Sequence, residues 1–324
     1  MKRNFAIISL FFIFITGLIA QETDTEKTEN NRQQKKIECN TDISIIASYP
    51  AEALLGVTQN FTIPVMNFDN PLTKDSNIKF KLGADITPVS VEGKFGITWT
   101  PLAFLELYLE NRIGTGWKIA KDLVGVGINK DNGAGISDFQ AHNFKKAVYT
   151  FNAGGAIQFD LGEVLPNAWT HIIFKIDQFA VYKRMTGVNN YESWIYQADY
   201  GTNRNGWRYG ASYILGYKMP IPLDILAVKI DTEKTFFEVP PGLDKKTWGE
   251  DKIITTFGPV INFNIKKKYN IMLIAQWKIV PAVVKEMEGD EYVFYQTFEL
   301  DKNKDWNLKF RRVSIIFYMT LQNR

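Results

Sequence analysis

Few side chains in this chain are spaced for chemistry. His142 and His171 are the only imidazoles, and acid–base or nucleophilic catalysis needs one held within hydrogen-bond reach of a partner on the same face. His142 stands in a glycine-rich polar stretch and His171 at the start of an alternating apolar run, and neither belongs to a nucleophile motif. Asn129, Asp131 and Gly133 have the flavour of a calcium loop without its ligand spacing or closing acid. Gly125-Val126-Gly127 is not followed by the Gly-Lys-Ser/Thr of a phosphate loop. Asn60-Phe61-Thr62 matches a glycosylation sequon only formally, inside a strand-like run. The lone Cys39 excludes an intramolecular disulfide. These residues predict no enzyme, no metal site and no cofactor.

The remaining chemistry is charge at alternate positions. The cations Lys79, Lys81, Lys94, Arg112, Lys175, Lys183, Arg208, Lys218, Lys278 and Arg312 outnumber the carboxylates Asp85, Glu92, Glu106, Glu110, Asp160 and Asp177, and each has an apolar or aromatic residue beside it. Period two is the repeat of a strand with one wet face and one apolar face. Charges arranged this way line a passage or pair across an interior.

The elements that must position them centre on residues 147–183. Tyr149, Phe151, Ala153, Gly155, Ile157, Phe159 and Leu161 form one apolar row, with Thr150, Asn152, Gly154, Ala156, Gln158 and Asp160 between them. After the turn-like residues 162–167, Ile172, Phe174, Ile176, Ala180 and Tyr182 alternate with His171, Lys175, Asp177 and Lys183. This predicts a hairpin of two long strands. A register keeping facing residues on one side sets Tyr149 opposite Tyr182, Ile157 opposite Phe174 and Asp160 opposite His171. A dozen residues at about 3.3 Å each and a ~40° tilt rise about 25–30 Å, the height of a bilayer's hydrocarbon band.

The same alternation recurs along the chain. It is clear over 78–87, 89–99, 105–112, 207–218, 271–279 and 312–321, softer over 43–48 and 54–65, and of ambiguous parity over 223–231. Pro259 weakens the reading of 253–264 as a strand. Long polar connections at 118–146, 185–205, 232–251 and 281–305, the last with a possible extension at 292–298, all fall at one end if the chain starts at the other. Short turns join the opposite ends. Sorted loops and long strands predict an all-β fold, an antiparallel transmembrane β-barrel of about 12 strands, with 10 or 14 as alternatives. A secreted sandwich would not need its loops sorted, and it would not place charges at strand mid-points.

Composition agrees. The chain has 324 residues, 14% aromatic, with 8 Trp, 14 Tyr and 23 Phe, yet its mean hydropathy is slightly negative and no apolar run after residue 20 approaches a spanning helix. Alternation hides membrane strands from hydropathy windows. A net charge of +3 without a clustered basic and aromatic module predicts no nucleic acid partner. Lys2 and Arg3 before the apolar run Phe5 to Ile19 and the small Ala20 read as a signal peptide, residues 1–20. Residues 21–41 read as a disordered periplasmic lead, and 42–324 as the barrel.

The signal peptide, the run Ile86-Thr87-Pro88-Val89-Ser90 through Trp99-Thr100-Pro101-Leu102, the close Gly114-Thr115-Gly116-Trp117 and the alternating last strand resemble bacterial outer-membrane β-barrel proteins, including uncharacterised spirochaete-type ones. The resemblance covers residues 42–321 in pattern, and its motifs are architectural. It implies a cell outer membrane location, with outer-membrane lipid and the barrel-assembly machinery as partners. One departure is that the family's terminal strand commonly ends on an aromatic residue read by that machinery, whereas this chain continues past Tyr318 to Gln322-Asn323-Arg324. The expected function is a porin-like channel for small polar solutes, mildly anion-preferring, its lumen lined by the charges above. The alternative is a non-conducting surface protein whose long loops bind a host or envelope partner. Oligomeric state is left open.

Overall fold

The computed structural model describes residues 37–50, 52–65, 70, 72–73, 75–120, 123–129, 139–165, 167–190, 192–197, 203–238, 252–265, 269–282, 303 and 305–322. The expected signal peptide, most of the lead and the possible extension at 292–298 lie outside them.

Period-two alternation becomes twelve long antiparallel strands: β1 (Glu38–Tyr49), β2 (Glu52–Pro64), β3 (Asn77–Thr87), β4 (Ser90–Leu102), β5 (Leu105–Gly116), β6 (Val148–Asp160), β7 (His171–Met185), β8 (Gly206–Lys218), β9 (Leu223–Thr235), β10 (Ile254–Ile265), β11 (Tyr269–Pro281) and β12 (Trp306–Gln322). Each pairs with its neighbours in sequence, and β12 pairs with β1, from Asn40 opposite Gln322 to Tyr49 opposite Val313. The sheet is thus a closed barrel, which leaves no backbone edge unsatisfied. One hydrogen-bonded row starts at Ser44 in the middle of β1 and passes Gly56, Asp85, Glu92, Gly114 and Val148 to reach Met185, the last residue of β7. That climb is the stagger that tilts strands in a closed barrel.

The outward face is apolar and bare. Leu55, Val57, Leu107, Leu109, Ile157, Leu215, Leu226, Val228 and Ile315 are all exposed, and in water a band of this size would drive association. Aromatic groups flank it at both heights. Phe151 and Tyr182 pack on Trp207 with ring centroids 6.4 and 5.2 Å away, and Phe257 and Phe310 each lie 6.3 Å from Trp277, toward the long-loop end. Tyr269 stacks on Phe317 at 6.0 Å toward the short-turn end. An apolar band between aromatic girdles on a closed barrel is the build of a membrane-spanning one. The chain is an all-β, closed, twelve-stranded antiparallel transmembrane β-barrel.

Several expectations need correction. The central hairpin pairs two residues away from the expected register: Phe151 faces Tyr182, Ile157 faces Ile176 and Asp160 faces Ile173. Parity fixes the face but leaves register free in steps of two. Here β8 decides it, because His171 and Ile172 overhang β6 and pair with Lys218 and Tyr217. The first strand begins at Glu38, within the expected lead, since Glu38 to Thr41 pair with Thr62 to Gln59 of β2. Pro259 does lie inside β10. It faces Val228 in β9, while the ladder toward β11 skips from Phe257 to Val260, and a Cβ on Gly258 would lie 1.8 Å from the carbonyl oxygen of Ala275. Only glycine allows that approach beside the missing N–H.

Candidate functional site

Pairing carries one face of the sheet round the barrel, opposite the bare apolar band. On this inner face stand Lys79, Lys81 and Asp85 of β3, Glu92 and Lys94 of β4, Glu106, Glu110 and Arg112 of β5, and Asp160 of β6. It continues through Lys175 and Asp177 of β7, Arg208 and Lys218 of β8, Lys278 of β11 and Arg312 of β12. Sequence reasoning missed Lys229, Asp231 and Glu233 of β9, which stand there too because they pair with Ile214, Ser212 and Gly210 on the inner side of β8.

Many of these charges meet. Lys94 Nζ lies 2.7 Å from Asp85 Oδ1, and Arg112 Nη1 lies 3.2 Å from Glu92 Oε1 and 3.8 Å from Asp85 Oδ2. Arg112 Nε also bonds Glu110. Asp85 and Glu92 are both 5% exposed, so their charges stand because the cations are there. Lys175 pairs with Glu106 at 3.4 Å, Arg208 with Glu233 at 3.2 Å and Lys229 with Asp231 at 2.9 Å. Tyr108 reaches over Gly154 to donate to Asp177 Oδ1 at 2.8 Å, and a Cβ at Gly154 would lie 2.6 Å from that hydroxyl. Lys79 and Lys218 have no carboxylate within 4 Å among the described residues.

The histidines are not brought together into a reacting pair. His171 Nδ1 lies 2.9 Å from Asp160 Oδ2, and Asp160 Oδ1 accepts from Gly162 N at 2.8 Å, capping the 3-10 turn Leu161–Glu163. Their side chains meet although their backbones are out of register, because the overhanging start of β7 folds back over the turn. The contact staples a short connection. His142 follows the loop strand Phe139–Ala141, in the connection between β5 and β6.

The long connections supply what the strands do not. Trp194–Tyr196 forms a small antiparallel sheet with Val126–Asn129, which pairs in turn with Phe139–Ala141. Val126, Val148, Met185, Trp194 and Tyr196 are buried together in one apolar cluster. From this base the segment 193–197 and 203–205 bends to the inner face as a strap. Tyr196 Oη donates to Glu92 Oε2 at 3.0 Å, in space left by Gly114, whose Cβ would lie 1.8 Å from that oxygen. Asn203 Oδ1 accepts from Lys183 Nζ at 3.2 Å and Arg208 Nη2 at 3.0 Å. The Lys183 ammonium also lies 5.4 and 5.3 Å from the ring centres of Trp194 and Tyr196, a favourable cation–π placement. Asn205 Oδ1 accepts from Met185 N and Trp194 Nε1. Gln197, at the strap's turn, holds a φ of 58°, a conformation that costs a non-glycine residue about 1–2 kcal/mol.

Beneath the strap is a cavity of about 290 Å³, walled by Glu92 and Arg112 on one side, Lys183 and Arg208 on the other, with Asn152 and Tyr196 between. Asn152 Oδ1 and Arg208 Nε are buried there without a hydrogen-bond partner. Such groups in a polar pocket favour a hydrated or solute-filled space. The signal for the strap was present as Trp194, Tyr196 and Tyr200 in an otherwise polar connection. Its inward course depends on contacts far apart in sequence.

Closure, a bare apolar band and a charged interior define the class: the chain is an outer-membrane β-barrel protein. Neither a protein-family model nor a curated protein matches it. Among solved structures it is similar to the β domain of the Bordetella autotransporter BrkA, with 8% identity, a TM-score of 0.43, and 87% of this chain and 98% of that one covered. It is also similar to an outer membrane channel from Pseudomonas putida F1, with 9% identity, a TM-score of 0.43, and 93% and 100% covered. None of these likenesses ties it to spirochaetes, and the assignment to the class rests on the chain's own geometry.

Proposed function

We propose that the barrel is a porin-like channel for small polar solutes, lined by the inner-face charges and narrowed at its long-loop end by the strap. The observation that carries the reading is the charged cavity beneath the strap, where Asn152 and Arg208 keep unpartnered polar atoms. A barrel serving only as an anchor needs no such polar space. On this reading the short turns and both chain ends face the periplasm, the long loops face outward, and the barrel-assembly machinery inserts the chain into outer-membrane lipid.

The competing reading is a non-conducting surface protein displaying its loops to a partner. The strap favours it, because bonds from Tyr196, Asn203 and Asn205 hold it across the inner face.

Single-channel recording on the purified, refolded protein separates the two. An open lumen gives discrete conductance steps and anion-favouring reversal potentials that weaken as salt rises, since screening acts over about 8 Å at physiological ionic strength. Silence from folded protein supports the anchored reading.

A further inference from the structure

We infer that the inner wall shared by β10, β11 and β12 holds an anion site, centred on Lys278 and Arg311, for a small multiply charged oxyanion such as phosphate. The inference rests on the proposed reading of the inner face as wet and solute-lined, and it names a class of solute.

Lys278 and Lys309 stand directly opposite each other in the β11–β12 register, and like charges so placed repel. One pair along, the register shifts between Gln276 and Trp277, leaving Arg311 outside the ladder. Bulges of this kind re-aim a side chain. Arg311 Nη1 turns to Thr256 Oγ1 at 3.3 Å, and Thr256 is the cross-strand partner of Lys278 on its other side. By register, an ammonium, a guanidinium and a hydroxyl therefore stand on one patch of wall.

Two carboxylates of the described inner face are already engaged. Glu52 lies 2.6 Å from Arg312 Nη1, and Glu233 lies 3.2 Å from Arg208 Nη1. Among the described residues Lys278 Nζ makes no hydrogen bond or ion pair. Elsewhere on the same face lysines meet acids, Lys94 with Asp85 and Lys229 with Asp231. An ammonium on a confined wall is expensive without an acid of its own. An oxyanion offers several acceptor oxygens at once, which suits a guanidinium fork and an ammonium better than a single-atom halide does.

The test is calorimetric titration of the refolded, detergent-solubilised protein with inorganic phosphate, at constant ionic strength. Saturable binding is expected, weakened about tenfold or more in Lys278→Met and in Arg311→Met, and unchanged in Lys234→Met, which removes a cation of the outer face. Phosphate should also raise the wild-type unfolding temperature above that in chloride of equal ionic strength, a readout that needs no variant. Absence of both effects in folded wild type, or wild-type affinity in the two inner-face variants, overturns the site. Binding without conductance leaves the site standing and removes the channel; conductance without binding removes the site alone.

Discussion

Tyr196 Oη donates to Glu92 Oε2 at 3.0 Å, joining a loop strand to the inner face of β4 across 104 positions of sequence. Glu92 in turn holds Arg112, which also bonds Glu110. A neutral donor on a paired carboxylate contributes about 1.5–3 kcal/mol, and it adds to the bonds of Asn203 and Asn205 and the buried Trp194 that also hold the strap.

Tyr196→Phe removes only that hydroxyl. The strap should loosen, the barrel should stay folded, and recordings in planar bilayers should show higher or more frequent conductance than wild type. Gly114→Ala should act in the same direction, since its Cβ would occupy the hydroxyl's place. Identical traces from wild type and both variants would mean that the strap does not control passage.

Depth in the membrane should grade the cost of charge on the outer face. Leu109 and Val228 are exposed near the middle of β5 and β9, whereas Phe174 faces Phe159 one pair from the end of β6. Leu109→Arg and Val228→Arg should each cost about 2–4 kcal/mol and Phe174→Arg about 0–1 kcal/mol, with Asn152→Arg on the inner face tolerated. Urea titrations of folding into lipid vesicles measure this. Equal costs at all four positions would mean that the inner and outer faces are misassigned.

The hairpin register has a direct chemical test. In a Cys39→Ser background, cysteines at 151 and 182 should cross-link on oxidation, because those residues are cross-strand partners. Cysteines at 149 and 182, offset by two, should not. The opposite result would restore the register that parity alone favours.

Gln197 should welcome a smaller residue. Its φ of 58° lies where glycine is at ease, so Gln197→Gly should stabilise the strap by about 0.5 kcal/mol net, after the added freedom of the unfolded chain is subtracted. Hydrogen exchange at Trp194–Tyr196 measures it, and faster exchange in the variant would show that the side chain of Gln197 matters more than its backbone.

The barrel was legible wherever one side of a strand was apolar and the other was not. Tyr149 to Asp160 and Ile78 to Thr87 alternate cleanly, so their faces could be read before any pairing was known. Leu223 to Ile230 carries apolar residues at nearly every position, and only its pairing with β8 sends Lys229, Asp231 and Glu233 inward. Phe310-Arg311-Arg312-Val313 breaks the period because the ladder itself is broken there. The strap was the least legible part, since nothing local to Trp194, Tyr196 or Asn203 indicates that their partners are Met185, Glu92 and Arg208.

The pairing of the first strand with the last has a kinetic side. Thr320 Oγ1 donates to Asp42 Oδ1 at 2.7 Å although 278 positions separate them, so the seam they belong to carries a larger loop-closure entropy than the pairing of any two strands adjacent in sequence. The β-hairpins can form as soon as their own residues are available, but until β12 reaches β1 the growing sheet has two raw edges, each a template for a wrong partner. The final seam is therefore the slow and vulnerable step of assembly, the one at which a catalyst that guards an open edge would do most to separate insertion from aggregation.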